Sequence, residues 1–133
     1  MALLVCFCLT GMAKAPKYVF YFIGDGMGLN QVVATQYYLR SCQGELGVTP
    51  LCFTQFPYTG IATSYSASSD VTDSAAGGTA LATGHKTYNG AIGVTADGTP
   101  VTSIAEWAHR SGAKVGVATS VTINHATPAS FYA

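Results

Sequence analysis

The sequence predicts an α/β domain with a mostly parallel sheet flanked by helices. Two observations carry that expectation. Strand-like and helix-like segments alternate along the chain, which is the signature of parallel strands joined by helical crossovers. The polar clusters also fall directly after the strand-like segments, where α/β sheets bind their ligands.

The 133 residues suffice for one modest domain. Hydrophobic residues make up 49% and charged residues 9%, which excludes a disordered chain. Six basic residues balance six acidic ones. With no basic stripe, nucleic acid is not expected as a specific partner. So few charges predict extensive burial, as in the inner part of a larger protein.

The N-terminus reads MALLVCFCLTGMAKAPKY. Its apolar run from Ala2 to Leu9 is too short to cross a bilayer, so no stable membrane anchor is expected. Small residues then offer a signal-peptide cleavage site, and Pro16 disfavours a cut after Ala15. The reading is a signal peptide over residues 1–13, with an exported product, periplasmic or extracellular. The competing reading is a buried first strand. Cys6 and Cys8 would leave with the signal. Cys42 and Cys52 would remain, either paired in an oxidising compartment or as two free thiols. No CxxC pair points to a cysteine zinc site.

The remaining elements follow in order. Lys17 to Ile23, KYVFYFI, is a short apolar run ended by glycine, as in a buried parallel strand. GDGMG makes a tight turn. Asn30 to Arg40 has helical spacing of Val32, Val33, Gln36, Tyr37 and Arg40. Ser41 to Thr59 is broken by glycine and proline. Gly60 to Ser66 is a second strand candidate. Ser74 to Ala82 is an alanine-rich helix beginning at Thr72 to Ser74. Asn89-Gly90 and Asp97-Gly98 are turn signals around a short strand. Ser103 and Glu106 form a capping box for IAEWAHRS, which Gly112 closes. Lys114 to Val121 is the third strand candidate. Thr127-Pro128 has the form of an N-cap followed by proline at the first helical position.

Three candidate site clusters therefore lie at strand ends: Asp25, Ser74, and His125 with Thr127. Asp25 stands among Gly24, Gly26 and Gly28, which leave its carboxylate uncrowded for a metal. A capping turn is the alternative. A dinucleotide loop fails because Leu29 occupies the third glycine position of GxGxxG. Ser74 opens a helix, where backbone N–H groups favour an anion. Its hydroxyl needs a base or a metal to become a nucleophile; otherwise it is a cap. The small residues Ala75 to Gly78 mark either a flexible turn or a close approach to the backbone. The Thr127 hydroxyl suits Mg²⁺, against loop packing and capping. His85 and Lys86 are undecided, and His109 is expected on a solvent-facing helix.

YFIGDGMG, VTDSAAGGTALATGHKTYNGAIG and NHATPASFYA together resemble the alkaline phosphatase family. The resemblance runs from about Lys17 to Ala133 with three blocks in the family's order. It implies hydrolysis of small-molecule phosphate monoesters through a phosphoserine at Ser74. Asp25 would bridge a zinc and the magnesium, and Thr127 would be a magnesium ligand. Ser74 and His125 would complete the metal positions on this chain. His125 stands where members carry Asp or His, so zinc competes with magnesium there. Asp73 would help hold a phosphate-binding arginine. The cofactors implied are two Zn²⁺ and one Mg²⁺, and a homodimer is implied for the full-length enzyme.

Arg40 and Arg110 are expected on helices away from the motifs. The family's other ligands and its arginine lie beyond Thr127. Residues 14–133 are thus read as the N-terminal part of an alkaline-phosphatase-like domain, incomplete in this chain and inactive alone. The alternatives are a non-catalytic phosphate- or metal-binding remnant, or a related metal-dependent phosphodiesterase. A sulfatase is disfavoured, since its Cys/Ser-x-Pro-x-Arg motif is missing.

Overall fold

A computed structural model describes residues 16–133. The signal-peptide reading of residues 1–13 lies outside them. Among the described residues four α-helices follow one another: α1 Leu29–Ser41, α2 Ser74–Thr83, α3 Ile104–Arg110 and α4 Ala126–Ala129. A short 3₁₀ turn covers Cys52–Gln55. No described helix is long and apolar enough to cross a membrane.

Several local helix signals are realised, but of the expected Ser103/Glu106 capping box only the Ser103 half forms, because the Glu106 carboxylate is taken by Arg110. On α1 the Gln31 side chain reaches back to accept the Gly28 N–H at 3.0 Å. On α2 the Asp73 carboxylate caps by accepting the Ala76 N–H at 2.8 Å, and Gly84 closes the helix with φ 77°. That left-handed value is one only glycine adopts without strain. On α3 the Ser103 hydroxyl accepts the Glu106 N–H at 3.1 Å. Glu106 and Arg110 pair one helical turn apart. His109 is exposed on this helix, as expected.

The expected sheet is not formed among the described residues. Residues 18–23, 60–65 and 114–120 make no main-chain hydrogen bonds with other main chain. The sole ladder contact there is one antiparallel bridge, Val94 with Pro100. It closes the turn at Asp97-Gly98, so the short strand between the two turn signals is reduced to one residue pair. The physical reason is that strand propensity cannot act alone. A strand needs a neighbour's N–H and C=O groups, and these three segments do not pair with one another.

Burial follows the same pattern. Phe22 is 88% exposed and Ile61 93%. The described residues by themselves do not bury these apolar segments. What is buried is a small-residue centre around α2: Ala75, Ala76, Thr79 and Ala82, with Thr87, Ala91, Ala129 and Ser130. Helices α2 and α4 pack closely because Gly78 faces Ser130. A Cβ on Gly78 would lie 2.7 Å from Ser130 Oγ. The small residues after Ser74 thus serve a helix-to-helix approach.

Two further ties bring the chain's ends to this centre. Ser103 Oγ donates to the Phe131 carbonyl at 2.7 Å. Tyr21 and Phe131 meet edge to face with centroids 5.9 Å apart, a favoured aromatic geometry. The loop before α4 is held by Tyr132 Oη, which donates to the Ile123 carbonyl at 2.6 Å. Cys42 and Cys52 are exposed free thiols.

Candidate active site

Asp25, Ser74 and Thr127 come together although the sheet does not form. Ser74 Oγ donates to Asp25 Oδ1 at 3.3 Å. Thr127 Oγ1 donates to Asp25 Oδ2 at 2.7 Å. One carboxylate therefore receives hydroxyls from two other parts of the chain. Asp25 itself sits in the turn where Met27 N–H donates to the Gly24 carbonyl at 3.2 Å. Gly26 at φ 70° allows that turn.

The Thr127 hydroxyl is the chief reason the Asp25 carboxyl lies below the ordinary aspartate pKa. Partial burial opposes the shift, while the Ser74 hydroxyl and the nearby His125 reinforce it. Each of those favourable contacts stabilises the ionised form.

The expected N-cap at Thr127 is corrected. His125 is the N-cap of α4, Ala126 opens the helix, and Pro128 is its third residue. Thr127 cannot cap because its hydroxyl is turned to Asp25. The imidazole of His125 makes no capping hydrogen bond, and the residue is exposed.

Ser74 is the first residue of α2. Among the described residues, the N–H groups of Ser74 and Ala75 make no hydrogen bond. They remain available to an anion at the positive end of a ten-residue helix.

Asp73 is fully engaged by backbone. Oδ1 takes the Ala76 N–H, and Oδ2 takes the Gly90 N–H at 2.7 Å. The Asn89 side chain accepts the Asp73 N–H at 3.3 Å and donates to the Val71 carbonyl at 3.0 Å. In the sequence Asn89-Gly90 reads as a turn signal within the second motif. Its second role had no sequence signal, because the partners stand 16 and 18 positions away.

The arginines are spent elsewhere, as expected. Arg40 on α1 pairs with Glu45, and Arg110 on α3 pairs with Glu106. Lys86 donates to the Tyr65 carbonyl and lies over the Tyr65 ring. With His85, Thr95 and Asp97 it lines a shallow depression of about 490 Å³ that does not include Ser74. The hydrogen bond that His85 makes is local, from its N–H to Thr83 Oγ1 at 3.2 Å, and none joins it to Asp25, Ser74 or Thr127.

The donor set fits a hard cation in part: one carboxylate with two hydroxyls is oxygen chemistry suited to Mg²⁺. It does not complete a zinc site. Among the described residues no three His, Cys, Asp or Glu side chains come together, and zinc sites take three or four such protein ligands.

A hydroxyl at a helix start, a carboxylate holding it and two free amides define a site able to present an oxygen nucleophile to an oxyanion. The family model for alkaline phosphatase matches residues 16–133. This chain belongs to the alkaline phosphatase family. It is 40% identical over 131 residues to alkaline phosphatase 4 of Drosophila melanogaster, covering 90% of this chain and 22% of that protein. The crystal structure of a cold-active alkaline phosphatase from Shewanella sp. matches with a TM-score of 0.73 at 41% identity. It covers 82% of this chain and 27% of that one. A variant of the alkaline phosphatase from the Antarctic bacterium TAB5, with Mg bound in its M3 site, matches with a TM-score of 0.71 at 45% identity. That match covers 82% and 29% of the two chains. The chain spans about a quarter of the length of the curated relatives it matches.

Proposed function

We propose that this chain supplies the nucleophile half of an active site that hydrolyses phosphate monoesters through a phosphoserine at Ser74. The observation that carries the reading is the shared carboxylate. Asp25 receives the Ser74 and Thr127 hydroxyls from positions 49 and 102 residues away. Random packing has no reason to gather three oxygen donors beside free helix-start amides. The names of the relatives supply the substrate class.

In the proposed reaction, the amides of Ser74 and Ala75 receive the phosphoryl oxygens. Asp25 accepts the Ser74 O–H and so turns a lone pair of Oγ toward phosphorus. Ser74 Oγ forms the new P–O bond as the bond to the leaving group breaks; the leaving group departs with that electron pair as an alkoxide, and the proton given up by the Ser74 hydroxyl passes through solvent to it, giving the alcohol. Water then cleaves the phosphoserine and restores the hydroxyl. Asp73 holds the start of α2, so the amides and Oγ keep their relative positions.

Magnesium fits Asp25 and Thr127, with Ser74 and His125 at hand. A cation held by these residues would supply positive charge beside the reacting oxygens. The two zinc ions belong to the whole protein and need ligands beyond residues 16–133. So does the phosphate-binding arginine. Export and a homodimeric full-length enzyme complete the reading.

The experiment is acid-quenched labelling of the full-length protein with a ³²P-phosphate monoester. Label on Ser74, lost together with turnover in Ser74→Ala, supports the reading. Unchanged turnover in Ser74→Ala overturns it. Saturable phosphate binding with neither label nor turnover would favour the non-catalytic binding remnant.

A further inference from the structure

We propose that Asn89 is a positioning residue for Ser74, acting through Asp73 to complete the cap of α2 from a distant turn. The inference rests on the reading of Ser74 as nucleophile.

A capping box has two halves. The N-cap side chain accepts the N–H three residues on, and the residue there reaches back to the N-cap N–H. Asp73 performs the first half by accepting the Ala76 N–H at 2.8 Å. The second half is impossible locally. The third helical residue is Ala76, which has no polar group and is 2% exposed. A long side chain there would have to enter the packed centre.

Asn89 supplies the missing half. Its Oδ1 accepts the Asp73 N–H at 3.3 Å, and its Nδ2 donates to the Val71 carbonyl at 3.0 Å. One side-chain amide therefore pairs with both groups of the Val71–Asp73 backbone, as a neighbouring strand would. Gly90 adds a third tie through its N–H to Asp73 Oδ2 at 2.7 Å. Its φ of 89° is one that a side chain would strain. The Asn89 N–H in turn donates to Ser68 Oγ at 2.9 Å, which anchors the turn.

The residue following these ties is Ser74. Fixing the Asp73 peptide from both sides sets the direction in which the helix starts, and hence where Ser74 Oγ stands. Without Asn89 the cap keeps its carboxylate half but loses the half that orients the peptide before the nucleophile. An error of about 1 Å in a nucleophile lowers rates far more than it lowers substrate affinity. The effect therefore belongs in kcat.

The test uses the full-length protein and the rate of acid-stable phosphorylation at Ser74, expressed per folded molecule. Asn89→Ala should slow phosphorylation by about tenfold or more while KM stays within about twofold. Asn89→Asp keeps the Oδ1 acceptor and should lose less. Phosphorylation within about twofold of the parent rate in both variants would overturn the proposal. If Asn89→Ala gives no folded protein, Asn89→Asp decides alone: a drop of about threefold or more at unchanged KM supports it, and a smaller one overturns it. Ser74→Ala run alongside separates the two ideas. Retained turnover there removes the nucleophile reading, whereas an inactive Ser74→Ala with unaffected Asn89 variants removes only this one.

Discussion

Thr127 donates its hydroxyl to Asp25 Oδ2 at 2.7 Å, although the two residues stand 102 positions apart. This bond joins the first and last motifs of the chain at the side chain that also receives Ser74. It depends on how α2, α4 and the 16–28 segment pack.

The bond has a titration consequence. Asp25 is held below the ordinary aspartate pKa, with Thr127 as the main cause. A depressed folded-state pKa means stability that is present above the unfolded value of about 3.9 and lost as pH falls through the lower folded value. In protein freed of metal by a chelator, the Asp25 carboxyl should titrate below about 3.9 by NMR. Thr127→Val should move it upward toward that figure. A midpoint that does not move would mean the bond is not held in solution.

Gly78 and Ser130 should be energetically coupled. An alanine Cβ at 78 would press on Ser130 Oγ at 2.7 Å and on its Cβ at 3.2 Å. Overpacking of this kind costs about 1–3 kcal/mol. Gly78→Ala should lower the denaturation midpoint, and the loss should be smaller in a Ser130→Ala background. A double-mutant cycle with no coupling would contradict the close approach.

Asp73→Ala removes the α2 cap and the Gly90 tie together. Loss of an N-cap side chain costs about 1 kcal/mol, and the Gly90 N–H loses its charged acceptor as well. Denaturant unfolding should show a loss of about 1–3 kcal/mol. Asp73→Asn keeps one acceptor oxygen and should fall between.

Residues 16–133 produced alone should turn over no phosphate monoester, since the described residues complete no zinc site. Their exposed apolar segments, including Phe22 at 88% and Leu46 at 98%, should bind a hydrophobic dye and promote association. Turnover comparable to the full-length protein on adding Zn²⁺ and Mg²⁺ would contradict this.

The chain by itself determined what acts over short range. The start of α3 was legible because Ser103 and the N–H it serves stand three residues apart; the start of α2 was legible as Thr72 to Ser74, and the structure makes Asp73, not Ser74, its cap. The glycine read as closing α3, Gly112, likewise follows the helix with a left-handed φ of 88°. The three motifs were legible as residue types, and their family resemblance with them.

Tertiary structure decided what acts over long range. It brought Asp25, Ser74 and Thr127 onto one carboxylate, moved the α4 cap from Thr127 to His125, and gave Asn89 a partner in Asp73. It also left the three strand-like segments unpaired. Strand propensity describes a residue's own backbone and side chain, whereas pairing needs donors and acceptors on another segment. A hydroxyl's choice between a nearby backbone group and a distant carboxylate is settled in the same way, by which partner the fold brings within reach.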